Sequence, residues 1–308
     1  MRISGKIVTI GLCPCWDMVC QLDGVDWGQH KVISSASSRP AGKALNISRA
    51  LAWMGTKSIA TGLWGREDYE QMAKAMQSLK SSVKVKMTAV EGSTRRNITV
   101  VDTVNNREMH LRAVSQLASK KALRKLEADL QATVNRLRRA QSSRNSVCVF
   151  AGAMPEKQLL GDVVRIISCC RWSGVKIAVD TSWDALREIV NSASIWLIKP
   201  NVEELRELLG EQIRDNAADL AKAGRKLLDR VEVVLISRGK KGAIVVTKKG
   251  MWQGQACTPP TFLPAAPTRG FALKTAIKVA TARAWGWAEK MAWEDAEKSI
   301  EVSLRERE

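Results

Sequence analysis

Trp196-Leu-Ile-Lys-Pro-Asn-Val-Glu-Glu-Leu205 joins a short apolar run to a polar break and then to the start of a helix. The run stops at Lys199-Pro200. Asn201 is a favoured N-cap, and Glu203 and Glu204 fall in the first helical turn, where the helix dipole favours negative charge. Polar chemistry therefore sits at the carboxyl end of a strand. Ligands of open α/β sheets gather there, which makes Asn201 and Glu204, three apart, candidates to orient water around a magnesium-bound phosphate. A capped helix with no ligand reads the same way.

Outward from this stretch the same alternation recurs. Ile7–Leu12, Ser58–Gly62, Val147–Ala151, Lys176–Asp180, Ser194–Ile198, Val233–Ser237 and Ala243–Val246 read as strands. Helical patterns lie between them near 45–55, 68–79, 117–138, 157–172, 184–192, 202–209 and 216–229. The fold class is α/β, a doubly wound, mostly parallel sheet. Segments near 18–38 and 84–113 differ, with alternating residues such as Asn97-Ile-Thr-Val-Val-Asp102 and no long helix. Residues 136–146, with Arg136, Arg138, Arg139 and Arg144 among polar residues, read as a solvated loop insertion.

The chain has 308 residues, 45% hydrophobic and 26% charged, enough for one large core, and a single domain over 1–308 is expected. No secretion signal precedes Ile7-Val-Thr-Ile10, and no apolar run approaches the roughly 20 residues that cross a bilayer. Seven cysteines without zinc-like spacing, beside two histidines, fit a reduced cytoplasmic protein. Cys13-Pro-Cys15 is C-x-C rather than C-x-x-C, so packing or loop thiols are expected there. The formal charge of +18 is a possible footprint for nucleic acid. However, the basic residues spread over helices such as Ser119–Leu126, and one Tyr and three Phe give no visible stacking platform. Specific nucleic-acid binding is therefore not expected. Trp53, Trp64 and Trp196 lie within apolar patterns and read as core.

A second stretch, Arg39-Pro-Ala-Gly-Lys-Ala-Leu-Asn-Ile-Ser-Arg-Ala-Leu51, joins a small-residue turn to an amphipathic helix. Gly42 can present a backbone amide unobstructed, while Lys43 and Asn46 add a cation and a polar amide at the helix start. Further stretches follow: Gly11-Leu-Cys-Pro-Cys-Trp-Asp17, Gly92-Ser-Thr-Arg-Arg-Asn97, Ala151-Gly-Ala-Met-Pro155 and Val179-Asp-Thr-Ser182. With these six stretches in family order, the chain resembles the PfkB carbohydrate kinases of the ribokinase-like fold. It is most similar to the sugar-phosphate branch, which contains 1-phosphofructokinase and tagatose-6-phosphate kinase.

The resemblance implies a small β lid, formed by the segments near 18–38 and 84–113, over a site that takes a sugar phosphate with ATP and Mg2+. Asp17 would accept hydrogen bonds from sugar hydroxyls. Gly42, Lys43 and Asn46 match the family's substrate turn, although Ala41 and Ala44 stand where glycines are usual, and each added methyl would crowd a sugar. Arg95, with Asn97 nearby, matches the arginine that faces the acceptor's phosphate, and Arg96 stands beside it. Lys199, Asn201 and Glu204 match the KPNxxE element that acts on magnesium and phosphate, Asn201 and Glu204 reaching the metal through water. Ser237 and Gly239 match a serine-x-glycine turn along the nucleotide, and a plain hairpin turn explains Ser237–Gly242 nearly as well. A homodimer is compatible with the family.

One family element is missing. The G-A-G-D loop, whose amides hold the transferring phosphoryl group and whose aspartate is the general base, has no counterpart in Ala256–Gly270. Phe271–Trp285 follows directly and resembles the family's later helix, so the loop and its helix read as deleted around 270. No Asp or Glu occurs between Glu232 and Glu289. The expectation is an ATP-dependent ketose-phosphate kinase with impaired turnover. The alternatives are a binding-only relative and a basic nucleic-acid-binding protein.

Overall fold

A computed structural model describes residues 6–139, 145–257, 278 and 291–307. In chain order the elements begin with β1 (Ile7–Gly11), β2 (Cys15–Leu22), β3 (Ser35–Ala41), α1 (Lys43–Trp53), β4 (Ser58–Gly65), α2 (Tyr69–Ala75) and β5 (Val83–Val90). Next come β6 (Arg96–Asp102), β7 (Arg107–Arg112), α3 (Lys120–Arg139), β8 (Val147–Ala151), α4 (Leu160–Trp172), β9 (Lys176–Asp180) and α5 (Trp183–Ser192). The chain continues through β10 (Ile195–Ile198), α6 (Val202–Leu209), α7 (Ala217–Arg225), β11 (Val231–Ser237), β12 (Ala243–Thr247), β13 (Gly250–Cys257), α8 (Trp293–Ser299) and β14 (Glu301–Arg307).

Among the described residues the large sheet runs β14-β13-β12-β11-β10-β9-β8-β1-β4-β5. From β11 to β5 every neighbouring pair is parallel, and β12 to β14 append an antiparallel edge. The parallel strands are nearly continuous apolar runs because helices cover both faces. Val8, Ile10, Phe150, Ile177, Val234 and Ile244 share one core with α3 to α7. On the other face Leu45 of α1 and Met72 of α2 pack on Ala60 and Trp64, while Trp293 and Ala296 of α8 pack near Ala243. In α3 the apolar positions Leu123, Leu126, Leu130, Val134 and Leu137 recur at helical spacing and are buried. Each such side chain stabilises the fold by roughly 1.5–3 kcal/mol over its exposed state. The lysines and arginines of that helix lie mostly on its solvent side. No helix among the described residues is long and apolar enough to cross a membrane.

A second sheet, β3-β2-β6-β7, stands over the carboxyl edge of the first. Residues 18–22, 35–38 and 96–112 contribute to it as expected for the lid, but 84–90 do not: Val83–Val90 pairs in parallel with β4 as the edge of the large sheet. The alternation in that segment reflects an edge strand with one face covered. Residues 136–139, read as loop, continue α3, because Val134 and Leu137 keep its buried stripe in phase. Trp196 is half-buried rather than core and lies under the ammonium of Lys176, 4.9 Å from its ring centre. The expected deletion around 270 lies outside the described residues.

Candidate active site

A cavity of about 460 Å³ opens between the carboxyl ends of β1 and β8 and the inner face of the lid sheet. After β1 the chain builds β4 and β5 on one side and then β8 to β11 on the other, so this is the switch point of the sheet, where a ligand crevice forms. Asp17 of β2, Gly42, Lys43 and Asn46 at the start of α1, Arg95 before β6 and Asn97 of β6 all line it. The residues expected from the sequence to contact substrate thus share one cavity. Arg96 is exposed and lies outside it.

Local geometry explains two small residues here. Gly42 turns β3 into α1 at φ 112°, a conformation that side chains disfavour. Gly152, at φ 104°, faces it, and a Cβ there would stand 3.3 Å from the Cβ of Lys43. The methyls of Ala41 and Ala44 are buried in the cavity wall, and that of Ala44 points toward Gly11, which has no Cβ.

The lid register aligns the polar groups. Arg39 of β3 pairs with Asp17, Asp17 with Asn97, and Asn97 with Arg112 of β7, making one row across four strands on the cavity side. The thiol of Cys15 donates to Asp17 Oδ1 at 3.3 Å and accepts from Asn97 Nδ2 at 3.2 Å. Burial, reinforced by the charge of Asp17 and by the hydrogen bond to it, pushes that thiol up to about 12. It therefore stays protonated and acts as a linker, in line with the expected packing role. His110, one row further along, also lines the cavity and hydrogen-bonds Thr99 Oγ1 at 3.0 Å.

Arg95 is committed to backbone. Its Nε donates to the Pro14 carbonyl at 3.3 Å, Nη1 to Ala113 at 2.6 Å and Nη2 to Cys13 at 3.0 Å. Those carbonyls belong to the segments that enter β2 and leave β7, so one guanidinium gathers the roots of the lid.

Asp180, at the carboxyl end of β9, joins the cavity to the KPNxxE segment. Its Oδ1 accepts from Lys43 at 2.9 Å and forms an ion pair with Lys199 at 3.2 Å. Asn201 and Glu204 form a reciprocal capping box on α6, with both bonds at 2.8 Å. The structural reading of that pair is therefore realised, while Glu204 Oε1 accepts no hydrogen bond among the described residues. Ser237 bridges Asn201 at the end of β11, and Gly239 lies in the turn to β12, which Asp215 fastens through Arg238 and Lys241 at 2.8 and 2.6 Å. This turn closes an antiparallel hairpin, as the plainer reading had it. None of these five residues lines the cavity; they extend from it along the strand ends. Among the described residues no three His, Cys, Asp or Glu side chains converge as a metal cage.

Sequence reasoning missed Asp180, Cys15, Arg39, His110 and Arg112. Asp180 was legible, since it ends a strand inside a stretch already marked. The others depended on lid pairing.

The sequence pattern of the pfkB family carbohydrate kinases matches residues 5–262. The chain belongs to that family. The 1-phosphofructokinase of Vibrio cholerae is 28% identical over 243 residues, covering 79% of this chain and 73% of that protein. The ATP-dependent 6-phosphofructokinase isozyme 2 of Mycobacterium tuberculosis is 26% identical over 282 residues, covering 91% and 79%. The crystal structure of phosphofructokinase-2 from Escherichia coli with fructose-6-phosphate superposes with a TM-score of 0.74 at 20% identity, covering 95% of this chain and 90% of that one. Its tetrameric inhibited form gives 0.78 at 20% identity, covering 96% and 98%. The doubly wound sheet of this pfkB chain is thus the fold of known sugar kinases. The pfkB match ends at 262, short of Gly270, inside the stretch without carboxylates.

Proposed function

We propose that this pfkB-family chain binds a ketose phosphate in the lid-covered cavity and ATP with Mg2+ along the carboxyl ends of β10 and β11, and that it transfers the phosphoryl group slowly. The observation that carries the reading is the convergence of Asp17, Gly42, Lys43, Asn46, Arg95 and Asn97 on one cavity at the switch point. Asp17 and Asn97 would hold sugar hydroxyls, since a carboxylate accepts and an amide both donates and accepts. Lys43 and Lys199, sharing Asp180, leave a net positive edge for phosphate. Asn201, Glu204, Ser237 and Gly239 would border the nucleotide.

The residues present fit magnesium in hydrated form. One carboxylate oxygen of Glu204 is available, and Mg2+ keeps most of its waters and takes its remaining ligands from phosphates. Bound there, the ion would neutralise charge on the transferring phosphate. The lining of the cavity among the described residues includes one carboxylate, Asp17, linked to Cys15 beneath the sugar position. A base aimed at the reacting hydroxyl is not provided by residues 233–288 either.

Calorimetry with fructose 1-phosphate, fructose 6-phosphate and tagatose 6-phosphate, each beside its free sugar, tests the binding claim. Micromolar to millimolar binding of at least one phosphate with clear preference over its free sugar is expected. Equal affinity for phosphates and free sugars would sink the reading.

A further inference from the structure

We propose that the edge of the large sheet opposite the cavity, where the amino ends of β9, β8, β1, β4 and β5 stand abreast, is a docking face for an acidic phospholipid surface, with Trp172 as its interfacial anchor. This face is separate from the cavity and holds whatever ligand the cavity takes.

Strand register builds the face. Lys176 of β9 pairs with Val147, Val147 with Ile7, Ile7 with Ser58 and Ser58 with Val83, so five strand starts form one row about 19 Å wide. The segments leading into these strands, 1–6, 27–57, 71–82, 130–146 and 163–175, contain no Asp or Glu, although 31 of the 308 residues are acidic. Cations stand there instead. Lys6, Lys57, Lys80, Lys84 and Lys176 are exposed along the row, and α3 ends on the same side with Arg136, Arg138 and Arg139, also exposed.

Among the described residues none of these cations forms a salt bridge, and Glu127 and Asp162 of the flanking helices α3 and α4 are both taken by Arg165. The cations crowd one another: burial, with the charges of Arg136, Lys84 and Lys6, pushes the Lys86 ammonium below its usual range. Repulsion of this kind weakens the free protein and is offset where a plane of phosphates supplies the opposite charge.

Trp172 favours lipid over other polyanions. It ends α4, four residues before Lys176, and is 86% exposed. An indole among cations suits the headgroup zone, where its apolar ring and its N–H meet different surroundings. A surface that tracks nucleic acid needs successive rings for stacking, and no second exposed aromatic accompanies Trp172 at this edge among the described residues. β1 runs about 17 Å from this edge to the cavity, so a docked protein keeps its lid toward water.

The test is co-sedimentation of the full chain with vesicles of phosphatidylcholine, alone or with about one-third phosphatidylglycerol, at about 0.1 M salt. The unaltered chain should bind the acidic vesicles and leave the neutral ones in suspension. A triple variant, Arg136→Gln with Arg138→Gln and Arg139→Gln, should bind about 100-fold more weakly, since each cation at an acidic surface contributes roughly fivefold. Lys120→Gln with Lys121→Gln and Arg124→Gln removes the same charge from the other end of α3, about 30 Å away at its limit, and should change binding less than about threefold. Trp172→Ala should weaken binding about tenfold, a loss that persists when salt screens the charges. All seven side chains are exposed, and melting temperatures check that the variants remain folded. Equal losses in the two triple variants would reduce the effect to net charge and overturn the proposal, as would failure of the unaltered chain to bind acidic vesicles. Tighter binding of an RNA duplex than of acidic vesicles at about 0.15 M salt, lost with the same three arginines, would overturn the assignment to lipid.

Discussion

At the scale of single residues, Trp183 and Cys15 carry the sharpest consequences. Trp183 opens α5 at φ 60° with its side chain 64% exposed, a left-handed conformation in which Cβ crowds the backbone. Trp183→Gly is expected to raise stability by about 0.5–1 kcal/mol, because glycine takes that conformation without the steric penalty and little packing is lost. A urea midpoint that falls would show that the indole contributes more than its exposure implies. Cys15 has its thiol shifted to about 12, so at pH 8 its thiolate is scarce and iodoacetamide should modify it far more slowly than an ordinary exposed cysteine. Peptide mapping after brief alkylation measures this, and rapid labelling of Cys15 would contradict the link it makes between Asp17 and Asn97. By linkage, a pKa raised in the fold favours the folded state below the unfolded value near 9, and that benefit is lost as pH rises from there toward 12.

At the scale of elements, the lid's outer turn depends on Asp102. It accepts from Asn105 Nδ2 at 2.8 Å, Asn105 N at 3.1 Å, Arg107 Nε at 2.9 Å and Val25 N at 3.1 Å. These bonds, those from Asn105 foremost, hold its carboxyl well below the usual carboxylate range. A depressed pKa stabilises the fold above the unfolded value of about 3.9, and the contribution is lost as pH falls below it. Amide exchange in β6 and β7 should therefore quicken in Asp102→Asn at pH 7, to a level the unaltered chain approaches only in acid. Equal protection in both proteins would show that the turn is held by other contacts. The elements also show what a sequence can reveal. Strands such as Lys176–Asp180 and the capped helix from Asn201 were legible because apolar runs and caps are local signals. The assignment of Val83–Val90 to the large sheet and the row from Arg39 to Arg112 depend on which strands pair, which alternation alone leaves open. The task of Arg95 was hidden for a similar reason, since its carbonyl partners lie far away in the chain.

At the scale of the whole molecule, catalysis and charge are separable. General base catalysis contributes about 10²–10⁴-fold, and a preorganised amide donor about 10²–10³-fold more, so a chain without a carboxylate between Glu232 and Glu289 is expected to bind ligands with little turnover. A coupled assay of the chain beside a version with a G-A-G-D loop and helix grafted after Gly270 checks this; ordinary turnover in the ungrafted protein would refute it. The formal charge of +18 should give only nonspecific nucleic-acid binding that vanishes between low and physiological salt, as counterion release requires. A filter-binding salt series measures that, and sequence-selective binding at physiological salt would reverse the ranking. Arg95 carries one more consequence. Because it draws Cys13, Pro14 and Ala113 to one point, Arg95 is one pin at the base of the lid, beside the bonds from Trp16 Nε1 to Asp68 and from Arg49 to the Pro40 carbonyl. β6 extends about 20 Å from that pin to Asp102, so a tilt of about 10° at the fulcrum sweeps the tip through about 3–4 Å. The mechanical advantage runs outward: displacements too small to register among Asp17, Asn97 and Arg112 become large at the outer turn, where a fluorophore on Asn105 would report them.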